Sequence, residues 1–379
     1  MINKERLKKH YHEMIRINSV SGNEKEIGEY IKSRIEEIGL EPTMVYFEEE
    51  KLRPSVYTSL KSNKPGPSML LIGHIDTVGI NDQWDTDPFQ PVEIGDKTYG
   101  RGAMDMKGGL SAIIETLTYF KNNPDEFSGE IIAAFVSDEE VLAQGTYKLL
   151  EEDISPDMAI MAECRFDNVA VGFRGRYSIE IEVEGKSAHS SKYPEIGENA
   201  IINAGKLAVE IESLPTVIHP KLGGGSWCVK YIEGGIQNAL IVPNKCHIVL
   251  ERFFVEGENY KTIEKQIFEA AEKLGIKEKT KVKLKDRTMP YMEPFTIPED
   301  DELVVTLREK YQEVTGNILK MEYDKSVCDS NILVNSANIK TVTFGPSGEN
   351  MHGKNEFGYF HQVVQSTEIY IKTLKELLK

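Results

Sequence analysis

Short apolar runs alternate with amphipathic helical segments through the first part of this sequence. Strand-like runs lie near residues 55–60, 68–74, 130–137 and 157–162. Helical patterns lie at 4–17, 107–122 and 145–151, and Ser21-Gly-Asn-Glu24 predicts a capping box that opens a helix to about residue 38. Strands that alternate with helices form one sheet with helices on both faces. The pattern therefore predicts an α/β fold built on a mixed sheet.

The pattern changes after Arg174, where apolar and charged residues begin to alternate. The segment 177–184 is typical of a strand with one wet face. Further elements follow in the order helix, strand, strand, helix, strand, at 197–212, 226–233, 245–254, 258–274 and 280–287. This order predicts a ferredoxin-like α+β unit. We expect residues 175–287 to form an inserted domain, and residues 1–174 and 288–379 to form one discontinuous domain around it.

His74 and Asp76 lie at the end of the apolar run 68–74. Alternate residues of a strand face the same way, so both side chains should point into one site. A histidine that binds a metal usually gives its other ring N–H to a carboxylate, which predicts His74 as a ligand and Asp76 as the group that orients it. Taken alone, a His-x-Asp pair is more often a surface or capping pair.

Three acidic residues occupy comparable places further along the chain. Asp105 stands in a glycine-rich turn before a predicted helix, and Glu139 and Glu140 follow the run 130–137. One aspartate can bridge two metal ions about 3.5–4 Å apart. Of two adjacent glutamates in an extended segment, one can bind metal while the other takes a proton from metal-bound water. Taken alone, an Asp-Glu-Glu run is usually a solvated acidic turn.

The coincidence of these motifs is more informative than any one of them. Each lies where an apolar run ends or a helix begins, which is where open α/β sheets build their sites. Glu163, after the run 157–162, and His352 complete a set of ligand types suited to two metal ions. Cys164 is adjacent to Glu163 but is not expected to be a ligand. The sequence therefore predicts a two-metal hydrolase.

Four motifs resemble those of the metallopeptidase family that includes aminoacylase, acetylornithine deacetylase, succinyl-diaminopimelate desuccinylase and carboxypeptidase G. They are Gly-His-Ile-Asp-Thr-Val from residue 73, Gly-Arg-Gly-Ala-Met-Asp-Met-Lys-Gly-Gly from 100, Ser-Asp-Glu-Glu from 137, and Phe-Gly-Pro-Ser from 344 leading to Met-His-Gly-Lys-Asn-Glu at 351–356. They follow one another in order along essentially the whole chain. The resemblance implies a discontinuous catalytic domain with an inserted ferredoxin-like domain that acts in dimerisation or as a lid.

The resemblance also implies roles for the site residues. One metal ion would be held by His74, Asp105 and Glu163, and the other by Asp105, Glu140 and His352. Glu139 would be the general base, and Asp76 would orient His74. The two ions would be divalent, with Zn²⁺ expected and Co²⁺ or Mn²⁺ as alternatives, because sites of histidine and carboxylate follow metal supply as much as geometry.

Three residues of the inserted domain also match positions in this family. The histidine that matches His189 reaches the partner subunit's site and polarises the scissile carbonyl, which implies a homodimer. Asn238 would help bind the tetrahedral intermediate. Arg252 would clamp a substrate carboxylate through its planar donor fork; the alternative is a strand-edge charge paired with Glu251 or Glu256.

Composition excludes several classes of protein. The sequence has 45 Lys and Arg against 61 Asp and Glu, a net charge of −16, which argues against nucleic acid and anionic membranes as partners. There is no apolar run of about 18 residues, so we expect no membrane span. The N-terminus has no apolar stretch of a secretory signal, and four cysteines without a CxxC pair predict reduced thiols in the cytoplasm.

These observations together predict a cytoplasmic, metal-dependent amidohydrolase that cleaves N-acyl amino acids. A dipeptidase or carboxypeptidase of the same family is the alternative within that class. A catalytically silent binding or scaffold protein is the alternative from another class, and its sequence should lack Glu139 or a metal ligand. The sequence does not identify the acyl group or the amino-acid side chain of the substrate.

Overall fold

The apolar runs of the sequence form the strands of a mixed sheet. The computed structural model describes residues 2–49 and 52–379. Its strands are β1 (Thr43–Tyr46), β2 (Pro54–Lys61), β3 (Ser68–His74), β4 (Val92–Ile94), β5 (Lys97–Tyr99), β6 (Glu130–Val136), β7 (Met158–Met161), β8 (Asn168–Phe173), β9 (Gly175–Glu184), β10 (Ile218–His219), β11 (Gly223–Gly224), β12 (Ser226–Gly234), β13 (Lys245–Phe254), β14 (Thr280–Leu284), β15 (Phe295–Thr296), β16 (Lys320–Asp324), β17 (Lys340–Thr343), β18 (Gly348–Glu349) and β19 (Phe357–Tyr359).

The helices lie largely where the periodicity of the sequence predicts them. They are α1 (Lys4–Arg16), α2 (Lys25–Ile38), α3 (Gly108–Asn122), α4 (Gln144–Leu150), α5 (Ala200–Glu212), α6 (Tyr260–Lys273), α7 (Glu302–Thr315), α8 (Asp329–Ala337) and α9 (Phe360–Leu377). Within the described ranges 2–49 and 52–379, none of them combines the length and apolarity that a bilayer crossing needs.

The chain forms two compact units. The first unit comprises Met1–Gly172, Thr296–Tyr323 and Cys328–Lys379, and the second comprises Phe173–Phe295 with Asp324–Val327. The large sheet has the strand order β1-β2-β6-β3-β7-β17-β8-β15, with β16 paired to β8. Strands β6, β3, β7 and β17 run parallel to one another, whereas at one end β2 pairs antiparallel with β6 and β1 pairs antiparallel with β2. This is the mixed α/β sheet that the sequence predicts.

Helices cover both faces of β3, and this explains why the strand is a continuous apolar run. Leu70 and Ile72 pack in a cluster that includes Leu333 of α8. The opposite face of β3 meets α3, where a Cβ at Gly73 would lie only 2.9 Å from Leu110 Cδ2. The carboxyl ends of the parallel strands therefore remain as the edge at which the sheet presents polar side chains.

The predicted capping box at Ser21–Glu24 is wrong, although the predicted helix is present. Helix α2 begins at Lys25 and ends before Gly39, whose φ of 79° forms a left-handed cap, but Glu24 makes no side-chain capping hydrogen bond. Ser21 Oγ instead donates to Asp76 Oδ2 at 2.7 Å. The Glu24 carboxylate accepts from the N–H of Gly22 and from Arg53. Tertiary contacts have taken both side chains away from the helix end.

The small sheet β18-β19-β5-β4 and the strands β1, β8 and β16 were not predicted from the sequence. Strands of two or three residues, such as β4, β5, β18 and β19, are too short to show an alternating pattern. This small sheet lies within the first unit, and His352 lies in the loop between β18 and β19. It therefore carries a candidate site residue that periodicity could not place.

The second unit is built on an antiparallel sheet with the strand order β12-β13-β9-β14. Helices α5 and α6 pack on this sheet, with Leu207 and Ile267 in the same buried cluster as Ile181 and Ile248. A short hairpin of β10 and β11 lies between α5 and β12. The main elements follow the strand, helix, strand, strand, helix, strand order of a ferredoxin-like unit, as predicted.

Candidate metal centre

The candidate ligands come from separate segments of the first unit. His74 is the last residue of β3, and Glu163 follows β7. Glu140 lies in the loop between β6 and α4, so these three side chains stand beyond the carboxyl ends of neighbouring parallel strands. Asp105 comes from the turn Ala103–Lys107 before α3, where its φ of −119° and ψ of 96° interrupt the helical path.

The side chains form two groups that share Asp105. His74 Nε2 lies 3.0 Å from Asp105 Oδ1 and 3.2 Å from Glu163 Oε1. His352 Nε2 lies 3.0 Å from Asp105 Oδ2 and 3.2 Å from Glu140 Oε1. Each oxygen of the Asp105 carboxylate therefore faces a different histidine, and each histidine faces a different glutamate. His74, Asp105 and Glu140 also offer ligand atoms within 4.8 Å of one another. The assignment of the ligands to two separate ions stays a prediction.

The buried acidic side chains of this site would be unfavourable without bound cations to balance their charge. Asp76, Asp105, Glu140 and Glu163 are each between 0% and 13% exposed, and together they far outweigh the positive charge of the two histidines. Burial raises the pKa of Glu139 well above its ordinary value, and the neighbouring acids Asp329, Glu163 and Glu140 raise it further. Glu140 Oε1 is buried and lies 3.2 Å from His352 Nε2. Nitrogen and oxygen donors in this arrangement suit borderline or hard divalent ions.

Cys164 also lies at the edge of this group. Its Sγ is 3.8 Å from Glu163 Oε2 and 3.6 Å from Met351 Sδ. Asp105, Glu163 and Cys164 each offer one possible ligand atom within 4.8 Å of the others. Burial raises the pKa of the Cys164 thiol well above its ordinary value, so in this environment the thiol keeps its proton.

Asp76 contacts both His74 and the loop that carries the two glutamates. His74 Nδ1 lies 2.9 Å from the main-chain oxygen of Asp76 and 3.6 Å from its Oδ1. The carboxylate accepts the main-chain N–H groups of Glu139 at 3.2 Å and Glu140 at 3.3 Å. The nearer partner of His74 is thus the carbonyl of Asp76, while its carboxylate mainly fixes the position of the glutamate loop.

Three buried charged residues near the site were not singled out in the sequence. Arg101 and Glu356 form an ion pair with side chains 2% and 1% exposed. Asp329 is fully buried, accepts a hydrogen bond from Thr146 and interacts electrostatically with His74; burial raises its pKa to about 7. Arg101 and Glu356 stand inside two of the quoted motifs, but a charged residue in a polar loop is usually solvated, so nothing in the motifs distinguishes these two residues from their neighbours.

The other predicted site residues belong to the second unit. His189 is exposed after β9, with Nδ1 2.8 Å from Ser191 Oγ, and Asn238 is exposed between β12 and β13. Arg252 lies on β13, is 0% exposed and pairs with Glu258, and its guanidinium stacks 4.5 Å from the ring centroid of Trp227.

The strand-edge alternative for Arg252 is wrong. Strand β13 lies between β12 and β9, and the acidic partner is Glu258 rather than Glu251 or Glu256. Glu251 instead pairs with Arg176 and Lys230. Contact with a substrate carboxylate stays a prediction for Arg252, whose side chain is buried and paired with Glu258.

A mixed α/β sheet that gathers histidines and carboxylates at the ends of its parallel strands is the architecture of a metal-dependent hydrolase. The sequence matches Peptidase family M20/M25/M40 over residues 70–376, and the chain belongs to this family. It is therefore a hydrolase that acts on amide or peptide bonds, as its motifs predicted.

Known proteins resemble the chain along most of its length. The succinyl-diaminopimelate desuccinylase of Nitrosomonas eutropha is 27% identical over 328 residues, which cover 83% of this chain and 84% of that protein. A tripeptidase from Staphylococcus aureus has a similar fold, with a TM-score of 0.83, 22% identity and coverage of 100% and 99% of the two chains. A dinuclear metal-binding peptidase of the M20 family from Bacillus subtilis has a TM-score of 0.76, 16% identity and coverage of 99% and 98%.

Proposed function

We propose that this hydrolase uses two divalent metal ions to cleave the amide bond of N-acyl amino acids. The observation that carries the proposal is the geometry of Asp105, whose two oxygens each face a different histidine, with a different glutamate beside each histidine. His74, Asp105 and Glu163 would hold one ion, and Asp105, Glu140 and His352 the other. Bound metal ions would polarise the amide carbonyl and lower the pKa of water to about 7.

The remaining chemistry is assigned to side chains of this chain. Glu139 would take a proton from the attacking water and return it to the leaving amine. Asp76 supports that role because its carboxylate accepts the main-chain N–H of Glu139. His189 would stabilise the developing oxyanion, Asn238 would help bind the tetrahedral intermediate, and Arg252 would bind a substrate carboxylate.

The relatives support a deacylase more than a peptidase. The N. eutropha relative, which aligns with most of this chain, is a desuccinylase, whereas the S. aureus structural neighbour is a tripeptidase with lower identity. Fold likeness at that level does not distinguish the two substrates. A dipeptidase or carboxypeptidase is therefore the second candidate, and Zn²⁺, with Co²⁺ or Mn²⁺ as alternatives, is the proposed metal.

We also propose that the protein is a cytoplasmic homodimer. Support for the dimer comes from the second unit, where β12 is an edge strand and apolar side chains are exposed at Ile202, Val209, Ile236 and Leu240. Exposed apolar side chains and unpaired strand edges are common at sites of association. The four cysteines are unpaired, which fits a reducing compartment.

The experiment that tests this function begins with protein stripped of metal and reconstituted with Zn²⁺ or Co²⁺. The enzyme is incubated with N-acetyl, N-succinyl and N-formyl amino acids and with dipeptides, and the products are identified by mass. We expect one free amino acid and one short acid. Cleavage of dipeptides alone would assign the enzyme to the peptidase candidate. Binding of two metal ions without any turnover would contradict the amidohydrolase and favour a silent binding protein.

A further inference from the structure

A buried ion pair connects two segments that carry candidate metal ligands. Arg101 precedes the turn that contains Asp105, and Glu356 is the last residue of the loop that contains His352. The two side chains are 2% and 1% exposed and are joined by Arg101 Nη1 and Glu356 Oε2. Arg101 and Glu356 are far apart in the sequence, so this contact exists only because the fold brings β19 beside β5.

Glu356 holds the turn around Asp105 through its second oxygen. Glu356 Oε1 accepts the main-chain N–H of Met104 at 2.9 Å and that of Asp105 at 3.1 Å. Both N–H groups lie in the first turn of the Ala103–Lys107 segment, where a helix leaves its N–H groups without internal partners, and Glu356 satisfies them. Because both N–H groups donate to one carboxylate oxygen, Glu356 fixes the backbone at Asp105 and thereby the direction of the Asp105 side chain.

Arg101 holds the loop around His352 in a similar way. Its Nη2 donates to the carbonyl oxygens of His352 and Gly353, each at 3.3 Å. His352 has a φ of 61°, a left-handed conformation that a side chain with a Cβ seldom adopts without support. The guanidinium therefore stabilises the main-chain turn that aims His352 at Asp105.

A buried ion pair is a poor means of stabilising a fold, since its desolvation cost can exceed its attraction. The desolvation of Arg101 and Glu356 would therefore be unfavourable if the pair contributed only to the stability of the fold. Glu356 Oε1 accepts from the backbone of the Asp105 turn, and Arg101 Nη2 donates to the carbonyl oxygens of His352 and Gly353 and, at 3.4 Å, to that of Gly79. Arg101 Nε is buried without a hydrogen-bond partner. The arrangement thus links the shared ligand Asp105 to the ligand His352.

We propose that Arg101 and Glu356 are positioning residues. They fix Asp105 and His352 relative to each other so that the metal ion held by Asp105, Glu140 and His352 can bind. This inference rests on the metal ligands of the proposed function. Residues that orient ligands from outside the coordination sphere typically change metal affinity by about 10–100-fold when they are replaced. The pair should therefore act on metal affinity and kcat, with little effect on KM.

The test measures Zn²⁺ binding to metal-free protein by calorimetry, together with kcat and KM. In Glu356→Gln the remaining oxygen can still accept the two N–H groups, but the new amide cannot pair with Arg101. We expect this variant to bind at least one of the two ions about 10–100-fold more weakly and to lose kcat, with KM within about twofold of wild type. Arg101→Lys keeps the charge but not the fork of donors, and it should lower Zn²⁺ affinity and kcat in the same way.

Glu115 provides a matched control in the same unit. It is 1% exposed, pairs with Arg6 through both oxygens and accepts the main-chain N–H of Asn3; none of these contacts, within residues 2–49 and 52–379, is with a candidate ligand. Glu115→Gln should lose a comparable amount of thermal stability while both dissociation constants for Zn²⁺ stay within about twofold of wild type. A loss of affinity equal to that of Glu356→Gln would assign the effect to stability alone and overturn the proposal.

The outcomes separate this inference from the proposed function. If the wild type binds two ions and both Glu356→Gln and Arg101→Lys bind them equally well, the positioning role is wrong and the metal site stands. If Glu356→Gln does not fold, Arg101→Lys decides the question by the same criterion. If the wild type binds no metal, the proposed function fails and the inference fails with it.

Discussion

At the scale of single residues, the site depends on side chains whose partners could not be read from their neighbours in sequence. His74, Asp105, Glu139, Glu140, Glu163 and His352 could be proposed because each follows an apolar run or lies in a recognisable motif. The partners of Ser21 and Glu356 could not be proposed, because both contacts join segments distant in sequence. Motifs therefore predict which side chains do chemistry, whereas the groups that hold them depend on tertiary structure.

Glu139 should be required for turnover but not for metal binding. Glu139→Gln keeps the volume of the side chain but removes the base, so we expect kcat to fall by about 10²–10⁴-fold. Both metal ions should remain bound, because Glu139 belongs to neither of the two ligand groups. The measurement is steady-state kinetics with metal analysis of the same sample. Wild-type turnover in this variant would show that Glu139 is not the general base.

Metal affinity should rise with pH because His352 must lose a proton to bind metal. Hydrogen bonds to Asp105 and Glu140 raise the pKa of His352 from 6.5 to about 10 in the metal-free protein. Protonated His352 thus stabilises the metal-free fold fully below pH 6.5, and this contribution is lost as pH rises through about 10.

Below this pKa, metal binding must release a proton. The metal affinity therefore falls about tenfold, for each proton released, with every unit by which the pH falls. Calorimetry at pH 7 in two buffers with different ionisation enthalpies measures the protons released when Zn²⁺ binds. We expect release of at least one proton, with a smaller number near pH 10. A heat of binding that is the same in both buffers at pH 7 would contradict this prediction.

Ser21 should affect the reaction through Asp76. Ser21→Ala removes a hydrogen bond to a buried carboxylate, which should cost about 1–2 kcal/mol of stability and several-fold in kcat, because Asp76 also fixes the Glu139 backbone. Ser62→Ala is the control, since Ser62 Oγ donates to the main-chain oxygen of Phe127 and not to a site residue. Denaturant unfolding and kinetics on both variants give the answer; equal kcat values in the two would count against a role for Ser21.

At the scale of elements, the long strands and helices were predictable and the short ones were not. Strand β3 and helix α3 carry enough residues for their periodicity to be clear, and both lie where the sequence predicts them. The capping box failed because Ser21 and Glu24 found charged partners in other segments. Strands β18 and β19 have two and three residues, so the loop that carries His352 could be located only from the structure.

Helix α3 should tolerate no side chain at Gly109, where it approaches the segment of Glu163. A Cβ at Gly109 would lie 2.1 Å from the main-chain oxygen of Ala162. Gly109→Ala should therefore move α3 or the Glu163 segment, cost about 1–3 kcal/mol in stability and weaken metal binding.

Gly205 on α5 is the matched control, because a Cβ there would have no atom within 4 Å. Gly205→Ala should raise stability by about 1 kcal/mol, since alanine favours a helix, and should leave metal affinity unchanged. Chemical denaturation and Zn²⁺ titration of both variants test the pair. A stable Gly109→Ala protein with wild-type affinity would show that the close contact is not needed.

At the scale of the whole molecule, the two units were visible in the sequence as two different hydrophobic patterns. Apolar strands covered on both faces gave continuous runs in the first unit, while strand β9, with a wet face, gave strict alternation. Burial of Arg252 could not be foreseen, because a lone arginine on an alternating strand is expected to face solvent. Its partner Glu258 lies beyond the strand, in the loop before α6.

Association should depend on the exposed apolar side chains of the second unit. Val209 on α5 is 76% exposed, so Val209→Lys should weaken a homodimer that buries this face, because an unpaired charge would lose its water. Ile94→Lys is the control, since Ile94 is 63% exposed but belongs to the first unit. Sedimentation velocity should show wild type and Ile94→Lys as dimers and Val209→Lys shifted to monomers. A monomeric wild type would contradict the proposed dimer.

The pairing of β8 with β15 has a consequence for how such a protein can be rebuilt. The chain leaves the first unit at the end of β8 and returns at β15, and these strands are neighbours, with the N–H of Ile297 bonded to the oxygen of Val171 at 2.6 Å. The candidate ligands from His74 to Glu163 precede this junction, and His352 follows it. The two ends of the segment Phe173–Phe295 are thus adjacent. This segment could be replaced by another domain joined at the same two strands, and none of the proposed ligands would have to change.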